Sequence, residues 1–131
     1  MLYICKRFKF DAAHRLPHYN GPCKNLHGHT YFLDVKVSGP KQVEGPCKGM
    51  IMDFSILKTV IQENVISLYD HNDLNNFFSN PTAELMVEQI WYDIVGQLEF
   101  KGVVLEELRL WETPDSYAEM KRDLPGVVGP L

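Results

Sequence analysis

Two alternating stretches, each of which meets a histidine at one end, constrain the fold of this chain more than any other feature. Residues 2 to 13 alternate between apolar and polar side chains, and the apolar side continues into His14. Residues 29 to 37 repeat the pattern from His29, and His27 lies two positions earlier. Residues two apart on a strand project from the same face. We therefore expect two strands that carry all three histidines on core faces.

Three histidines on core faces favour a metal site. A single histidine on an apolar strand is more often a hydrogen-bonded structural residue. Three neutral imidazoles buried without partners would cost stability, so a shared cation explains them better. Zinc is the expected metal, although iron and nickel also bind imidazole. Three protein ligands leave one coordination position for water or substrate, which is typical of catalytic zinc rather than structural zinc.

Composition narrows the class of protein. The chain has 131 residues, of which 45% are hydrophobic and 23% charged, and this predicts one globular domain. The net charge of -4 argues against nucleic acid or an anionic membrane as the main partner, because such binding needs clustered Lys and Arg. No apolar run approaches the roughly 20 residues of a membrane span, and no signal peptide is recognisable, so we expect a cytoplasmic location.

The middle of the chain predicts two helices. Asp53 is the expected N-cap of the first, which should end near Tyr69. Asn80 is the expected N-cap of the second, with Pro81 at its first helical position. The predicted buried stripe of the first helix is Phe54, Leu57, Ile61, Val65 and Leu68. The predicted stripe of the second is Val87, Ile90, Trp91, Ile94 and Leu98.

Two further strands, joined by a turn at Thr113 to Asp115, are predicted at the end of the pattern. The apolar face of the first of these strands is predicted to contain Val104, Leu108 and Leu110. The loops at residues 15–25 and 38–50 are expected to hold no regular structure. Two helices can cover only one face of a four-stranded sheet. We infer that the sheet closes with copies of itself, with its polar face toward a wet interior.

A thiol and an Asp-His pair are candidates for proton transfer. Cys23 precedes His27 by four residues, so it is a possible fourth ligand or a base. The three cysteines of the chain lack CxxC spacing, which argues against a disulfide framework or a thiolate zinc site. Asp70 and His71 follow the first helix, where a carboxylate could orient an imidazole. Turn and capping roles explain this pair equally well.

Two glutamates differ in how strongly they indicate a ligand-binding role. Glu84 lies in the first turn of the second predicted helix, and the helix dipole alone explains it. Glu112 falls on an apolar strand face, where a carboxylate must be paired or must bind a ligand that carries donors. A planar heterocycle with an amino group beside a ring NH would match such a carboxylate with two hydrogen bonds.

Six ordered blocks collect these residues, namely FDAAHRL, CKNLHGHTY, GMIMDFSILK, LYDHNDLN, NPTAELMVEQIW and LRLWETP. Together they resemble the family of 6-pyruvoyl-tetrahydropterin and 6-carboxytetrahydropterin synthases, from about residue 3 to 120. The resemblance implies the α+β tunnelling fold (T-fold), a ββααββ subunit with a four-stranded antiparallel sheet and two helices on one face. It also implies a trimer whose sheets close into a β-barrel, and a hexamer in which two such trimers stack.

The resemblance assigns site residues in three groups. These are the zinc ligands His14, His27 and His29, the catalytic proton-transfer groups Cys23, Asp70 and His71, and the substrate-binding residues Glu112, Glu84 and Thr82. In this family the active site lies between subunits, so the isolated chain is expected to be inactive. Residues 1–122 are predicted to form a single synthase domain, and residues 123–131 a C-terminal tail that contacts a partner or is disordered.

The interval from Cys23 to His29 resembles the carboxytetrahydropterin branch of the family. That branch implies a zinc-dependent lyase which converts 7,8-dihydroneopterin triphosphate to 6-carboxytetrahydropterin, acetaldehyde and triphosphate in queuosine biosynthesis. A pyruvoyl synthase and a folate-pathway relative are alternatives within the enzyme class. A noncatalytic barrel that binds zinc or pterins is the alternative outside it.

Overall fold

The computed structural model describes residues 1–123 and opens with two long antiparallel strands. Strand β1 (Tyr3–His14) pairs with β2 (His27–Ser38) along its whole length, so that His14 lies opposite His27. Both strands predicted from the alternating stretches are confirmed. The loop between them was expected to be irregular, but it contains a 3-10 turn (Pro22–Lys24) with proline in its first turn.

The first helix is continuous but changes type along its length. Its consecutive segments are α1 (Phe54–Ile61), a π-helical turn (Gln62–Ile66) and α2 (Ser67–Tyr69). The N-cap prediction is confirmed, because the Asp53 carboxylate accepts the Ser55 N–H at 2.8 Å. The predicted stripe is wrong at Phe54 and Leu68, which are exposed. The wider π turn shifts the buried face after Val65, so that Tyr69 replaces Leu68 in the core.

The segment after the first helix holds a short strand that the sequence did not predict. Strand β3 (Asn72–Asp73) lies parallel to β1, with Asn72 opposite Ala12 and Asp73 opposite Ala13. A 3-10 turn (Leu74–Asn76) follows directly. This segment places the end of the first helix at the edge of the sheet, beside β1.

Helix α3 (Ala83–Phe100) begins later than predicted. Thr82 is its N-cap, with a hydroxyl that accepts the Leu85 N–H at 3.2 Å, so the predicted cap at Asn80 and the predicted N1 position of Pro81 are wrong. Thr82 has an extended backbone and a suitable side chain, which leaves Pro81 outside the helix. The five predicted core residues of this helix are all buried.

A tight turn joins the last two described strands, β4 (Val104–Thr113) and β5 (Ser116–Lys121), as predicted. The placement of Val104 on the core face is wrong, since it is exposed and Leu105 is buried. Consecutive residues Lys36 and Val37 of β2 pair with Glu107 and Leu105 of β4. Strand β4 therefore carries one extra residue, in a bulge. The bulge changes which side chains face the core.

The described strands form a five-stranded mixed sheet in the order β3-β1-β2-β4-β5. The expected four-stranded antiparallel sheet is therefore present with one short parallel strand added. The two helices pack on one face of the sheet and enclose a single hydrophobic core, which confirms the α+β class. Within residues 1–123, no helix is long and apolar enough to cross a membrane. The predicted tail falls, after Asp123, outside the described residues.

Candidate functional site

Three histidines converge at the end of the β1–β2 pair, and we call His14, His27 and His29 the histidine cluster. The Nε2 atoms of His14 and His27 are 3.1 Å apart. One ring nitrogen of each of the three lies within 4.8 Å of the others. His14 is fully buried, and the other two are half-buried. The strand register explains the convergence, because His14 pairs with His27 and Ala12 pairs with His29.

Hydrogen bonds to carbonyl groups determine which nitrogens of the cluster carry protons. The His14 Nδ1–H donates to the Pro81 carbonyl at 2.9 Å, and the His27 Nδ1–H donates to the Asn25 carbonyl at 2.7 Å. A carbonyl can only accept, so each neutral ring keeps its proton on Nδ1 and presents a lone pair at Nε2. Two lone pairs that face each other at this distance repel unless a cation lies between them.

His29 supplies the third nitrogen. Its Nε2 atom is buried without a hydrogen-bond partner among the described residues. Burial lowers the pKa of His29 more than the Glu112 carboxylate, at 3.8 Å from Nε2, raises it. A neutral ring with an orphaned nitrogen is what a metal ligand requires. Ligands of a tetrahedral zinc ion lie about 3.3 Å apart, so the 3.1 Å spacing of His14 and His27 fits zinc.

A cleft adjoins the histidine cluster at the start of α3. Its volume is about 400 Å³, and it is lined by Ala83, Glu84, Glu112, Ser116, Tyr117 and Ala118. Glu112 lies at a shift in the register between β4 and β5, and its side chain is 29% exposed. It therefore borders both His29 and the cleft. Thr82 immediately precedes Ala83, the first residue of the cleft lining, and its hydroxyl caps α3.

A second group of ligand-type side chains lies beside β3, and we call Asp11, Asp70 and His71 the Asp70 cluster. The Asp70 Oδ1 atom accepts the Asp11 N–H at 3.0 Å and lies 3.0 Å from His71 Nδ1. The His71 N–H donates to the Asp11 carbonyl at 2.6 Å, and His71 has a φ of 60°. The Asp11 N–H, followed by His71, holds the pKa of Asp70 below its usual range.

Asp11 projects from the face of the sheet opposite to the histidine cluster, and Asp70 and His71 contact its backbone at the outer edge of β1. Asp11 is exposed, whereas His14, three residues further along β1, is buried. The Thr30 hydroxyl donates to the Asp11 carboxylate, and the side chain of His71 is 78% exposed. A shallow cleft of about 540 Å³ borders this region, and His71 and part of His29 contribute to its lining. The Asp70 cluster shares no ligand atom with the histidine cluster.

Cys23 belongs to neither cluster. It occupies the 3-10 turn between β1 and β2, is half-exposed, and accepts the Leu16 N–H at its carbonyl at 2.8 Å. Its sulfur does not belong to the metal-type groups of the described residues, so the structure does not provide the fourth ligand that the sequence left open. Within one chain, Glu112 therefore lies beside the histidine cluster, whereas Cys23 and the Asp70 cluster add no ligand atom to it.

Sequence reasoning missed several residues that support the site. The Pro81 and Asn25 carbonyls orient His14 and His27, and the Tyr31 hydroxyl lies 3.1 Å from His14 Nδ1. Tyr31 continues the core face of β2 from His29, so strand alternation was the available signal for it. The role of a backbone carbonyl leaves no such pattern in the sequence. Asp11 also escaped notice, because an acid on a polar strand face is common.

The fold and the histidine cluster define an α+β protein with three metal-ligand-type side chains at one end of its sheet. The family model of 6-pyruvoyl tetrahydropterin synthase matches residues 3–123. The chain belongs to the 6-pyruvoyl tetrahydropterin synthase family.

Named relatives and a solved structure agree with this membership. Several relatives are named 6-carboxy-5,6,7,8-tetrahydropterin synthase, among them one from Haemophilus influenzae that is 35% identical over 91% of this chain and 98% of its own length. A relative from Pyrococcus furiosus named dihydroneopterin monophosphate aldolase is 35% identical over 90% of this chain and 96% of its own. The structure of Caenorhabditis elegans 6-pyruvoyl tetrahydropterin synthase aligns with a TM-score of 0.73 at 26% identity, covering 93% of this chain and 96% of that one.

Proposed function

We propose that this protein is a zinc-dependent 6-carboxytetrahydropterin synthase. It would convert 7,8-dihydroneopterin triphosphate and one water to 6-carboxy-5,6,7,8-tetrahydropterin, acetaldehyde and triphosphate. The observation that carries the proposal is the set of three converging imidazole nitrogens beside Glu112, a residue that lines a cleft. Relatives that bear the synthase name over nearly the whole chain support the choice of reaction.

In this proposal, His14, His27 and His29 hold the zinc through their Nε2 atoms. A zinc ion held there would polarise oxygens of the substrate side chain and so lower the cost of removing neighbouring protons. The Pro81 and Asn25 carbonyls keep the Nε2 lone pairs of His14 and His27 available by accepting the Nδ1 protons. No redox cofactor is required, since the oxidation and the reduction both occur within the substrate.

Glu112 anchors the pterin ring in this proposal. Its two oxygens can accept from an amino group and a ring NH that lie side by side, which is the donor pattern of a pterin. Glu84 lies across the same cleft, and Thr82 adjoins it at the start of α3.

Proton transfer is assigned to Cys23 together with Asp70 and His71. The Asp70 carboxylate accepts from His71 Nδ1, so it orients the ring and stabilises its protonated form. Because this pair does not join the histidine cluster within one chain, we propose that the complete site lies between subunits. Cys23 and the zinc ligands would come from one subunit, and Asp70 with His71 from the next.

The open sheet edges support such an assembly. Among the described residues, β1 has a partner on its outer side only at Ala12 and Ala13, and β5 pairs only with β4. Strand β5 of one copy can therefore pair with the free edge of β1 in another, which closes a barrel and removes both edges. We propose a trimer of this kind, and a hexamer formed by two trimers. A cytoplasmic location, expected from the sequence, and a role in queuosine biosynthesis, implied by the family resemblance, complete the proposal.

Mixing two inactive variants tests the shared site. The Cys23→Ala and His71→Ala proteins are unfolded together, refolded at equal concentration and assayed, with each variant refolded alone as the control. If the site lies between subunits, random assembly of a closed ring gives one complete site in about four. We therefore expect about a quarter of the natural activity. Mixtures as inactive as the separate variants would place the whole site within one chain.

Product analysis tests the reaction itself. The purified, zinc-loaded protein is given 7,8-dihydroneopterin triphosphate, and acetaldehyde is measured beside the pterin product. Acetaldehyde and 6-carboxytetrahydropterin in equal amounts support the proposal, whereas 6-pyruvoyl-tetrahydropterin as the sole product contradicts it. The Pyrococcus furiosus relative favours an aldolase as the second candidate. A 6-hydroxymethyl-dihydropterin product from 7,8-dihydroneopterin monophosphate, supplied in a parallel assay, would identify that activity, and absence of turnover of both substrates would favour a binding protein.

A further inference from the structure

The side chain of Asn75 binds the backbone of Arg15 with both ends of its amide. Asn75 Oδ1 accepts the Arg15 N–H at 2.8 Å, and Asn75 Nδ2 donates to the Arg15 carbonyl at 3.0 Å. A neighbouring strand makes the same two hydrogen bonds to a paired residue. Arg15 is the first residue beyond β1, so the amide of Asn75 extends the pairing of β1 past the end of β3.

The turn that carries Asn75 is itself held firmly. Asp73 caps this 3-10 turn, and its carboxylate accepts the Asn75 N–H at 3.0 Å. Leu74, the first residue of the turn, is fully buried in the core. Asp73 also pairs with Ala13 of β1. The turn that carries Asn75 is thus attached both to the sheet, through Asp73, and to the core, through Leu74.

Arg15 lies between two parts of the proposed site. His14, immediately before it, offers one of the three nitrogens of the histidine cluster. Leu16, immediately after it, donates its N–H to the Cys23 carbonyl at 2.8 Å. A shift of the Arg15 backbone would therefore move the His14 ring and the start of the loop that carries Cys23.

We infer that Asn75 is a positioning residue of the metal centre. It holds the end of β1 so that His14 Nε2 stays aimed at the point shared with His27 and His29. A zinc site tolerates little displacement of a ligand, since zinc–nitrogen distances lie close to 2.0–2.1 Å. Supporting groups outside the ligands commonly contribute about 10- to 100-fold to metal affinity. The inference rests on the proposed zinc site and deepens it.

Zinc affinity of the full chain, measured by competition with a chromophoric chelator, tests this role. Asn75→Ala removes both contacts with Arg15, and we expect zinc affinity to fall about 10- to 100-fold. Asn75→Asp keeps an acceptor for the Arg15 N–H but loses the donor to its carbonyl, so a smaller fall is expected. The matched control is Asn64→Ala, which removes an amide contact with the Val60 carbonyl at 2.8 Å inside the first helix. Its zinc affinity should equal that of the natural chain.

The outcomes separate this inference from the proposed function. Folded Asn75→Ala protein with natural zinc affinity would overturn the inference, and so would an equal loss in Asn64→Ala, which would indicate a general effect of stability. Circular dichroism establishes that each variant is folded. If Asn75→Ala does not fold, unchanged affinity in Asn75→Asp overturns the inference in its place. A natural chain that binds no zinc would instead contradict the proposed zinc site.

Discussion

The histidine cluster and the Asp70 cluster lie near the same end of β1, yet they differ in how their polar atoms are satisfied. Each brings three ligand-type atoms within 4.8 Å of one another. In the histidine cluster, two Nε2 lone pairs face each other and the third Nε2 is buried without a partner. In the Asp70 cluster, the Asp70 carboxylate is paired with the Asp11 N–H and with His71.

This difference shows that proximity of ligand-type residues alone does not identify a metal site. Buried nitrogens with no proton to share lower their free energy by binding a cation. Exposed groups that already pair with one another gain little from one, and they remain free to exchange protons with a substrate. We therefore expect the histidine cluster to bind the metal and the Asp70 cluster to transfer protons.

The largest effect is expected from removal of one nitrogen of the histidine cluster. His27→Ala should lower turnover by at least about 10³-fold, because the metal contributes several kcal/mol to the stabilisation of charge in the transition state. Steady-state assays in excess zinc measure the loss. His18→Ala is the control, since His18 is exposed in the loop and belongs to neither cluster. Natural turnover in His27→Ala would remove the basis for a catalytic metal.

The next effect concerns the proton-transfer groups, which should be separable from metal binding. Cys23→Ala is expected to lower turnover by about 10²- to 10³-fold while zinc content is unchanged, because the thiol acts as a base and not as a ligand. Turnover and zinc content are measured on the same sample. Cys47→Ala is the matched control, as both thiols are free and half-exposed. Loss of zinc in Cys23→Ala would make the thiol a fourth ligand and contradict this division.

A smaller effect is expected at the border between the histidine cluster and the cleft. Glu112→Gln keeps the shape of the side chain but replaces one acceptor oxygen by a donor, so kcat/KM should fall about 10- to 100-fold, mainly through KM. Initial rates over a range of substrate concentrations give both constants. Glu88→Gln, on the exposed side of α3, is the control. An unchanged KM in Glu112→Gln would exclude Glu112 as the pterin anchor.

The smallest expected effect is a pH dependence of stability in the Asp70 cluster. The Asp11 N–H and His71 hold the pKa of Asp70 below its unfolded value of about 3.9. The resulting stabilisation is present above that value and is lost as pH falls through the folded pKa. Asp70→Asn should therefore lower Tm by a few degrees at pH 7, and the decrease should become smaller as pH falls below about 3.9. Thermal unfolding over this pH range checks this, and a decrease that does not change with pH would assign the effect to lost packing.

Local patterns predicted the elements that carry the histidine cluster, because strand alternation depends only on near neighbours. His14, His27 and His29 reach one face through that alternation, and Glu112 joins them near the turn after β4. The wrong burial predictions fall where the spacing of buried residues along an element changes. The bulge of β4 exposes Val104, and the π turn of the first helix exposes Leu68, since each inserts a residue that shifts the buried face.

Contacts between distant segments could not be predicted from the sequence. The Pro81 carbonyl that orients His14 comes from 67 positions away, and the Asn75 amide that holds Arg15 from 60. Neither residue type indicates such a role by itself. The separation of Asp70 and His71 from the histidine cluster was equally hidden, because it depends on how β3 docks against β1.

Zinc content is the measurement that tests the difference between the two clusters most directly. Purified protein is loaded with zinc, freed of excess metal, and analysed by atomic emission for the natural chain, His29→Ala and Asp70→Asn. We predict about one zinc per chain in the natural protein and in Asp70→Asn, and none in His29→Ala, because of the two clusters the histidine cluster holds the buried Nε2 atom without a partner and the two Nε2 atoms 3.1 Å apart. Zinc retained by His29→Ala, or lost from Asp70→Asn, would contradict this account.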